Sequence, residues 1–216
     1  LHQRSRAPTS TSTASERGGT PLARWKAIHS REHAVVAIER ETVVPDRIIR
    51  ALLAEAPFTH IAEGKPDEIV ASLVTIPPEL KADICGLAAD FAATMSVTSV
   101  RVKLKAVTTN ACCKVHSDFT DVRLISTYAG HGTDYVADPR EPDRLSRMST
   151  EWIGLFKGRA YGDGHPVCLH RSPPIEGTGE ARLVLVIDTP AFATQMIDPA
   201  YPDLDDRREV TEQAGW

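Results

Sequence analysis

The spacing of apolar residues changes partway along the chain. Between Pro78 and Met95 apolar side chains recur at intervals of three and four residues, which predicts one amphipathic helix that packs on a sheet. From Val97 onward apolar and charged residues alternate instead, as in the run from Val100 to Lys105. Alternation of this kind predicts a strand with one buried face. This change in spacing therefore separates a helical part of the chain from a part composed of strands.

Shorter patterns precede the long helix. The β-branched run from His33 to Ile38 predicts a strand. A helix is predicted to open at Pro45, because proline suits the first helical turn, where its missing N–H costs nothing. A Pro- and Gly-bearing loop and a short helix over 67–73 are predicted to follow.

The strand-like runs after the helix are short, and glycine and proline separate them. They cover 112–118, 122–128, 152–157, 167–169 and 182–188. Helices followed by many short strands favour a helical layer against a β-sandwich or barrel. We expect a disordered segment over residues 1–22, one domain over 23–200 and a polar tail over 201–216.

Composition narrows the classes of function. A net charge of -4 provides no basic field for nucleic acid, and no apolar run has the roughly 18 residues that a membrane span needs. The four cysteines (Cys85, Cys112, Cys113 and Cys168) form no C-x-x-C pair, which favours reduced thiols in a cytoplasmic protein. The sequence carries no signature of an oligomer.

One pair of residues is the strongest candidate for chemistry. His116 and Asp118 are two residues apart in a predicted strand, so their side chains share a face. A second histidine would complete a facial triad of two histidines and one carboxylate. His170, at the end of an apolar run, is the candidate, and Arg182 opens the next strand. Cys112 shares the face of His116 if the strand is regular.

This order of motifs resembles iron(II)- and 2-oxoglutarate-dependent dioxygenases of the prolyl-hydroxylase type. The resemblance covers 110–188 and includes His-x-Asp, a strand with Arg123, Thr127 and Tyr128, a distal histidine and a basic residue. It implies an α+β protein whose core is a double-stranded β-helix (a cupin-like jelly roll) supported by N-terminal helices.

The same resemblance implies roles for individual residues. His116, Asp118 and His170 would bind Fe(II) as catalytic ligands. Arg182, with Tyr128, would bind 2-oxoglutarate. The expected reaction is hydroxylation of a small molecule or a protein side chain.

A second resemblance is narrower. The strings H-S-D-F-T-D-V-R-L-I-S-T-Y-A-G-H-G-T and L-H-R-S-P-P resemble the bacterial domain-of-unknown-function family 1826 over most of 25–190. Members are often associated with zinc-responsive gene sets. An alternative is therefore a non-catalytic zinc-binding protein linked to metal homeostasis, which uses the same triad and possibly the Cys112 thiolate. A third option is a zinc site that activates water for hydrolysis.

Overall fold

A computed structural model describes residues 21–41 and 44–190 of the 216-residue chain. The predicted disordered segment up to residue 20 and the predicted polar tail lie outside the described residues. No helix within the described ranges is long and apolar enough to cross a bilayer.

Four α-helices of the described chain precede or separate the first strands: α1 Pro21–Lys26, α2 Asp46–Ala54, α3 Pro66–Ser72 and α4 Pro78–Met95. The long helix has the predicted bounds. It begins at a proline, which needs no N–H partner in the first turn, and ends where Ser96 adopts a left-handed conformation with φ of 57°. Its apolar stripe is buried, with Leu80, Ile84 and Phe91 fully inaccessible to solvent.

Nine strands of the described residues form two antiparallel sheets. They are β1 Val35–Ile38, β2 Phe58–Gly64, β3 Val100–Val107, β4 Val122–Ala129, β5 Asp134–Val136, β6 Leu145–Arg147, β7 Ile153–Lys157, β8 His170–Arg171 and β9 Arg182–Asp188. The large sheet has the order β1-β7-β4-β9-β3-β2, and the small sheet has the order β6-β5-β8. An antiparallel bridge between His116 and His170 extends the small sheet beyond β8.

The chain passes back and forth between these two sheets. After β3 it enters the small sheet at His116, returns to the large sheet with β4, and adds β5 and β6 to the small sheet. It then places β7 in the large sheet, β8 in the small sheet and β9 in the large sheet. This alternation is that of a double-stranded β-helix, so the predicted jelly roll supported by helices is confirmed.

Two cores lie on opposite faces of the large sheet. On β9, Leu183, Leu185 and Ile187 pack with the helices in the larger core. Val184 instead joins the core between the two sheets. That inner core also contains Ala34, Ile125, Tyr135, Met148, Phe156 and Cys168. Because side chains alternate along a strand, Arg182 and Asp188 share the inner face of β9 with Val184.

Several predicted boundaries are wrong. The loop expected after α2 contains β2, an edge strand whose residues are mostly partly exposed and lack clear alternation. The strand expected over 112–118 is reduced to the bridge at His116, because Cys112 adopts a left-handed conformation with φ of 54°. The strand expected over 167–169 is instead the two-residue β8, which begins at His170.

Candidate metal centre

The jelly roll brings His116, Asp118 and His170 together. One nitrogen or oxygen atom from each lies within 4.8 Å of the others. Paired backbone hydrogen bonds set the two histidines opposite each other: His116 N–H donates to His170 O at 2.9 Å, and His170 N–H donates to His116 O at 2.8 Å. Asp118 follows two residues later, and its carbonyl oxygen accepts from Arg159 N–H at 2.8 Å, so the backbone bridge positions the two histidines and the segment after β7 holds Asp118.

The hydrogen bonding of His116 defines its tautomer. Its Nδ1 lies 2.8 Å from the carbonyl oxygen of Lys114. A carbonyl oxygen only accepts, so Nδ1 must carry the proton, and Nε2 of the neutral ring keeps its lone pair. Nε2 faces Asp118 Oδ1 at 3.6 Å. The neighbouring Asp118 carboxylate raises the pKa of His116, although burial acts in the opposite direction. A histidine fixed by its other nitrogen is the usual form of a metal ligand.

The two carboxylate oxygens of Asp118 have different surroundings. Oδ1 accepts from Arg123 NH1 at 2.8 Å. Oδ2 lies 3.2 Å from His170 Nε2 but is buried without a hydrogen-bond partner among the described residues. Burial would raise the pKa of Asp118, but the charge of Arg123 above all, together with the two neighbouring histidines, outweighs it and holds the pKa well below its usual value. Asp118 is therefore an anion with one oxygen available to a ligand.

Arg182 lies at the start of β9 and is buried, with a relative exposure of 3%. Its Nε donates to His131 O at 2.6 Å, and NH2 approaches Thr127 Oγ1 at 3.5 Å. No carboxylate of the described residues lies within ion-pair distance of its guanidinium. Burial lowers the pKa of Arg182 to about 10. The charge of Asp134 acts on Arg182 only from beyond contact distance, and an anionic ligand in direct contact would relieve the remaining cost of burying the cation.

Gly130 allows this placement of Arg182. It has φ of 78°, and a Cβ at this position would lie 2.8 Å from both Ala181 O and Arg182 Cγ. The turn after β4 therefore needs glycine for its conformation and for the close approach of β9.

Tyr128, predicted to contact the co-substrate, lies on the opposite face of the large sheet. It belongs to the core beneath the helices, and its hydroxyl donates to Asp83 Oδ2 on α4 at 2.5 Å. A β-bulge interrupts the pairing of β4 with β9 between Thr127 and Ala129. Thr127, rather than Tyr128, shares the inner face with Arg182. The structure thus corrects the placement of Tyr128.

Cys112 is also not part of the triad. Its left-handed backbone breaks the alternation that would have aligned it with His116. Cys168 does lie in the inner core, where burial raises the pKa of its thiol far above the usual value and keeps it protonated. The four-ligand zinc site with a Cys112 thiolate is therefore not formed in this structure.

Aromatic side chains pack beside His170. The rings of Phe156 and His170 are 5.1 Å apart, and those of Tyr135 and Phe156 are 6.2 Å apart in an edge-to-face arrangement. The donor set of two imidazoles and one carboxylate suits a divalent transition metal. The triad has an unpartnered carboxylate oxygen and a histidine in the ligating tautomer, so it could hold such an ion.

Sequence reasoning missed two contributors to this centre. Asp188, at the end of β9, binds Arg123 through two hydrogen bonds of 2.8 and 2.9 Å. Gly158 allows the chain after β7 to contact the backbone of Asp118 and Thr120. One signal for Asp188 was present: Arg182 and Asp188 are six residues apart on one strand, so both charged residues lie on the same face.

Comparisons with solved structures give similar architectures at low identity. A dioxygenase for auxin oxidation from rice has a TM-score of 0.46 and 13% identity, and the match covers 88% of each chain. A second dioxygenase for auxin oxidation, from Arabidopsis thaliana, was solved with 2-oxoglutarate. It has a TM-score of 0.44 and 9% identity, and the match covers 84% of this chain and 94% of that one.

A third solved structure is an oxidoreductase of the 2OG-Fe(II) oxygenase family from Burkholderia pseudomallei. It has a TM-score of 0.44 and 11% identity, and the match covers 80% of this chain and 91% of that one. At these scores the likeness does not identify a substrate, and the fold assignment rests on the strand order described above. A search among proteins with curated descriptions finds no match.

A family model matches residues 74–188, which contain α4, strands β3 to β9 and the whole triad. The match covers more than half of the chain and agrees with the resemblance noted for the strings around His116 and His170. The chain belongs to the family described as protein of unknown function DUF1826.

Proposed function

We propose that the protein is an iron(II)- and 2-oxoglutarate-dependent dioxygenase that oxidises a small molecule or a protein side chain. The observation that carries this proposal is the pairing of two features in one jelly-roll interior. The triad offers metal ligands, and Arg182 is a buried guanidinium that lacks a carboxylate partner among the described residues. A co-substrate with a carboxylate at each end would satisfy both features.

Each residue has a defined task in this proposal. His116 Nε2, Asp118 Oδ2 and His170 Nε2 would hold Fe(II), and the remaining positions would stay open. Arg182 would bind the far carboxylate of 2-oxoglutarate, and Thr127 is placed to add a hydroxyl contact. Phe156, beside His170, would help to exclude water from the centre.

The bound Fe(II) and 2-oxoglutarate would supply oxidation of a C–H bond by dioxygen, with one oxygen atom entering the substrate and the other entering succinate as CO2 leaves. The protein would contribute binding and orientation. Asp118 would remain ionised for metal binding at neutral pH, because its pKa lies well below the usual value.

Spectroscopy and binding measurements on anaerobic protein test this proposal. Fe(II) followed by 2-oxoglutarate should produce the weak visible charge-transfer band of the bidentate oxo-acid chelate. Arg182→Leu should weaken 2-oxoglutarate binding by about 30-fold or more, because a buried charge pair would lose one partner, and metal affinity should be retained.

Arg144→Gln is a suitable control, because it removes one positive charge from an exposed pair with Glu141. It should leave both affinities unchanged. Tightly retained zinc with no 2-oxoglutarate-dependent band would contradict the oxygenase and favour the zinc-binding alternative. Unchanged 2-oxoglutarate affinity in Arg182→Leu would reject the role of Arg182.

A further inference from the structure

Arg123 connects the metal-binding triad to the far end of β9. Its Nε and NH2 donate to the two oxygens of Asp188 at 2.8 and 2.9 Å, and NH1 lies 2.8 Å from Asp118 Oδ1. One guanidinium thus holds two carboxylates, one of which belongs to the triad. Neither aspartate was expected from the sequence to be bound in this way.

The position of Arg123 is itself fixed. Arg123 and Asp188 are direct cross-strand partners in the register of β4 with β9. Their two parallel hydrogen bonds define the plane of the guanidinium, as expected for a bidentate arginine–carboxylate pair. The side chain of Asp188 is 10% exposed and that of Arg123 is 27% exposed. The pair is therefore shielded enough to hold its geometry, and NH1 is presented to Asp118 from a defined direction.

This contact makes the two oxygens of Asp118 unequal. Oδ1 is occupied by Arg123, and Oδ2 faces His170 Nε2 without a hydrogen-bond partner among the described residues. We infer that Arg123 is a positioning residue that restricts Asp118 to binding the metal through Oδ2 alone. Monodentate binding keeps one more coordination position open than a chelating carboxylate would.

This inference rests on the proposed function, because only that function needs the extra open coordination position. A co-substrate that chelates the metal through two atoms and a dioxygen molecule together need three positions, which the facial triad leaves on a six-coordinate ion. A carboxylate that swung to bind through both oxygens would occupy one of them. Asp188 would act on Asp118 only indirectly, because it orients Arg123.

The inference is tested with Mn(II), which stays divalent in air and whose bound water is measured by proton relaxation. Wild-type protein should bind Mn(II) with three exchangeable waters. Arg123→Gln should still bind Mn(II), but the relaxation enhancement per bound ion should fall to about two-thirds, since one of three open positions would be lost. Circular dichroism and thermal unfolding of the metal-free proteins check that each variant is folded.

Asp188→Asn provides a second variant that leaves Arg123 in place but weakens its anchor. It should also lower the relaxation enhancement, but by a smaller amount. If Arg123→Gln does not fold, this variant tests the positioning role of Arg123. Arg147→Gln is the matched control, because Arg147 also binds an aspartate, Asp134, through two hydrogen bonds. It should leave the enhancement at the wild-type value.

The outcomes distinguish failure of the Arg123 positioning role from failure of metal binding by the triad. If folded Arg123→Gln gives the wild-type relaxation enhancement, Arg123 has no positioning role, although the metal centre is unaffected. If Arg123→Gln does not fold, the same result in Asp188→Asn leads to the same conclusion. An equal fall in Arg147→Gln also overturns it, since the effect would then be a general loosening. Absence of Mn(II) binding by wild-type protein overturns the metal centre, and the role of Arg123 with it.

Discussion

Asp118 Oδ2 lies 3.2 Å from His170 Nε2, yet this oxygen has no hydrogen-bond partner among the described residues. The nearby His116 has its Nδ1 engaged by the Lys114 carbonyl, so its Nε2 lone pair also points into the group. Three potential ligand atoms that face one another without hydrogen bonds between them are typical of a metal centre. The surrounding backbone holds them in place.

The first prediction concerns the triad itself. His170→Ala should reduce Mn(II) or Fe(II) affinity by more than the roughly 10- to 100-fold that loss of an outer hydrogen-bond partner costs, because a ligand is removed. Equilibrium dialysis or calorimetry measures the affinity. His131→Ala removes a half-exposed histidine that contacts Glu180 and should have no effect. Equal affinities for wild type and His170→Ala would place the metal elsewhere.

The second prediction follows from the corrected position of Tyr128. Tyr128→Phe should leave 2-oxoglutarate affinity unchanged, because the hydroxyl donates to Asp83 on the helix side of the large sheet. It should lower the free energy of unfolding by about 1–3 kcal/mol, because a buried hydrogen bond to a charged group is lost. Urea unfolding and calorimetric titration measure the two quantities. A large loss of 2-oxoglutarate affinity without destabilisation would restore the sequence-based assignment.

The third prediction uses Gly158, which follows β7. A Cβ there would lie 2.2 Å from Thr120 O and 2.8 Å from Asp118 O. Gly158→Ala must therefore move the segment that contains Asp118, at a cost of about 1–3 kcal/mol in stability. Metal affinity, measured by calorimetric titration, should fall as well.

Gly86→Ala is a matched control for that substitution. A Cβ at Gly86 within α4 would meet no atom within 4 Å, and alanine is the better helix former. It should stabilise the protein by about 0.5–1 kcal/mol. Normal metal affinity in Gly158→Ala would mean that the loop relaxes without moving Asp118.

The sequence predicted those features that depend on local pattern. The bounds of α4 followed from its apolar spacing and its prolines, and the strand containing Arg182 followed from an unbroken run of valine, leucine and isoleucine. The grouping of His116 with His170 depends on a backbone bridge between residues that are far apart in the sequence. Residue spacing does not encode that bridge, so His170 was chosen from its place at the end of an apolar run and from the order of motifs in the family resemblance.

The two failures at the site have different causes. Tyr128 was assigned through the family resemblance, but Thr127 pairs with Val184 on the inner face of β9, and regular alternation along β4 puts Tyr128 on the helix side. Cys112 was aligned with His116 by strict alternation, which its left-handed backbone ends. A left-handed conformation at a residue other than glycine depends on tertiary packing, and the sequence gives little warning of it.

The last prediction concerns Lys157, at the end of β7. Its side chain is 1% exposed, its Nζ donates to Ser30 O at 2.5 Å, and it lies 4.7 Å from the centre of the Tyr161 ring. Burial lowers the pKa of Lys157 from its usual 10.5 to about 8. Below pH 8 the amine is protonated in both the folded and the unfolded protein, so burial of the charge destabilises the fold fully.

Between pH 8 and 10.5 the unfolded chain binds more protons than the folded protein, so this destabilisation is progressively relieved as pH rises. The free energy of unfolding of Lys157→Met minus that of wild type should therefore decrease across this window. Urea unfolding at a series of pH values measures this difference. The contributions of other titrating groups are the same in both proteins and cancel. Lys26→Met, at an exposed position, should give a difference that does not vary with pH. If the Lys157→Met difference is equally flat, the amine does not titrate in this window and its charge is not penalised by burial.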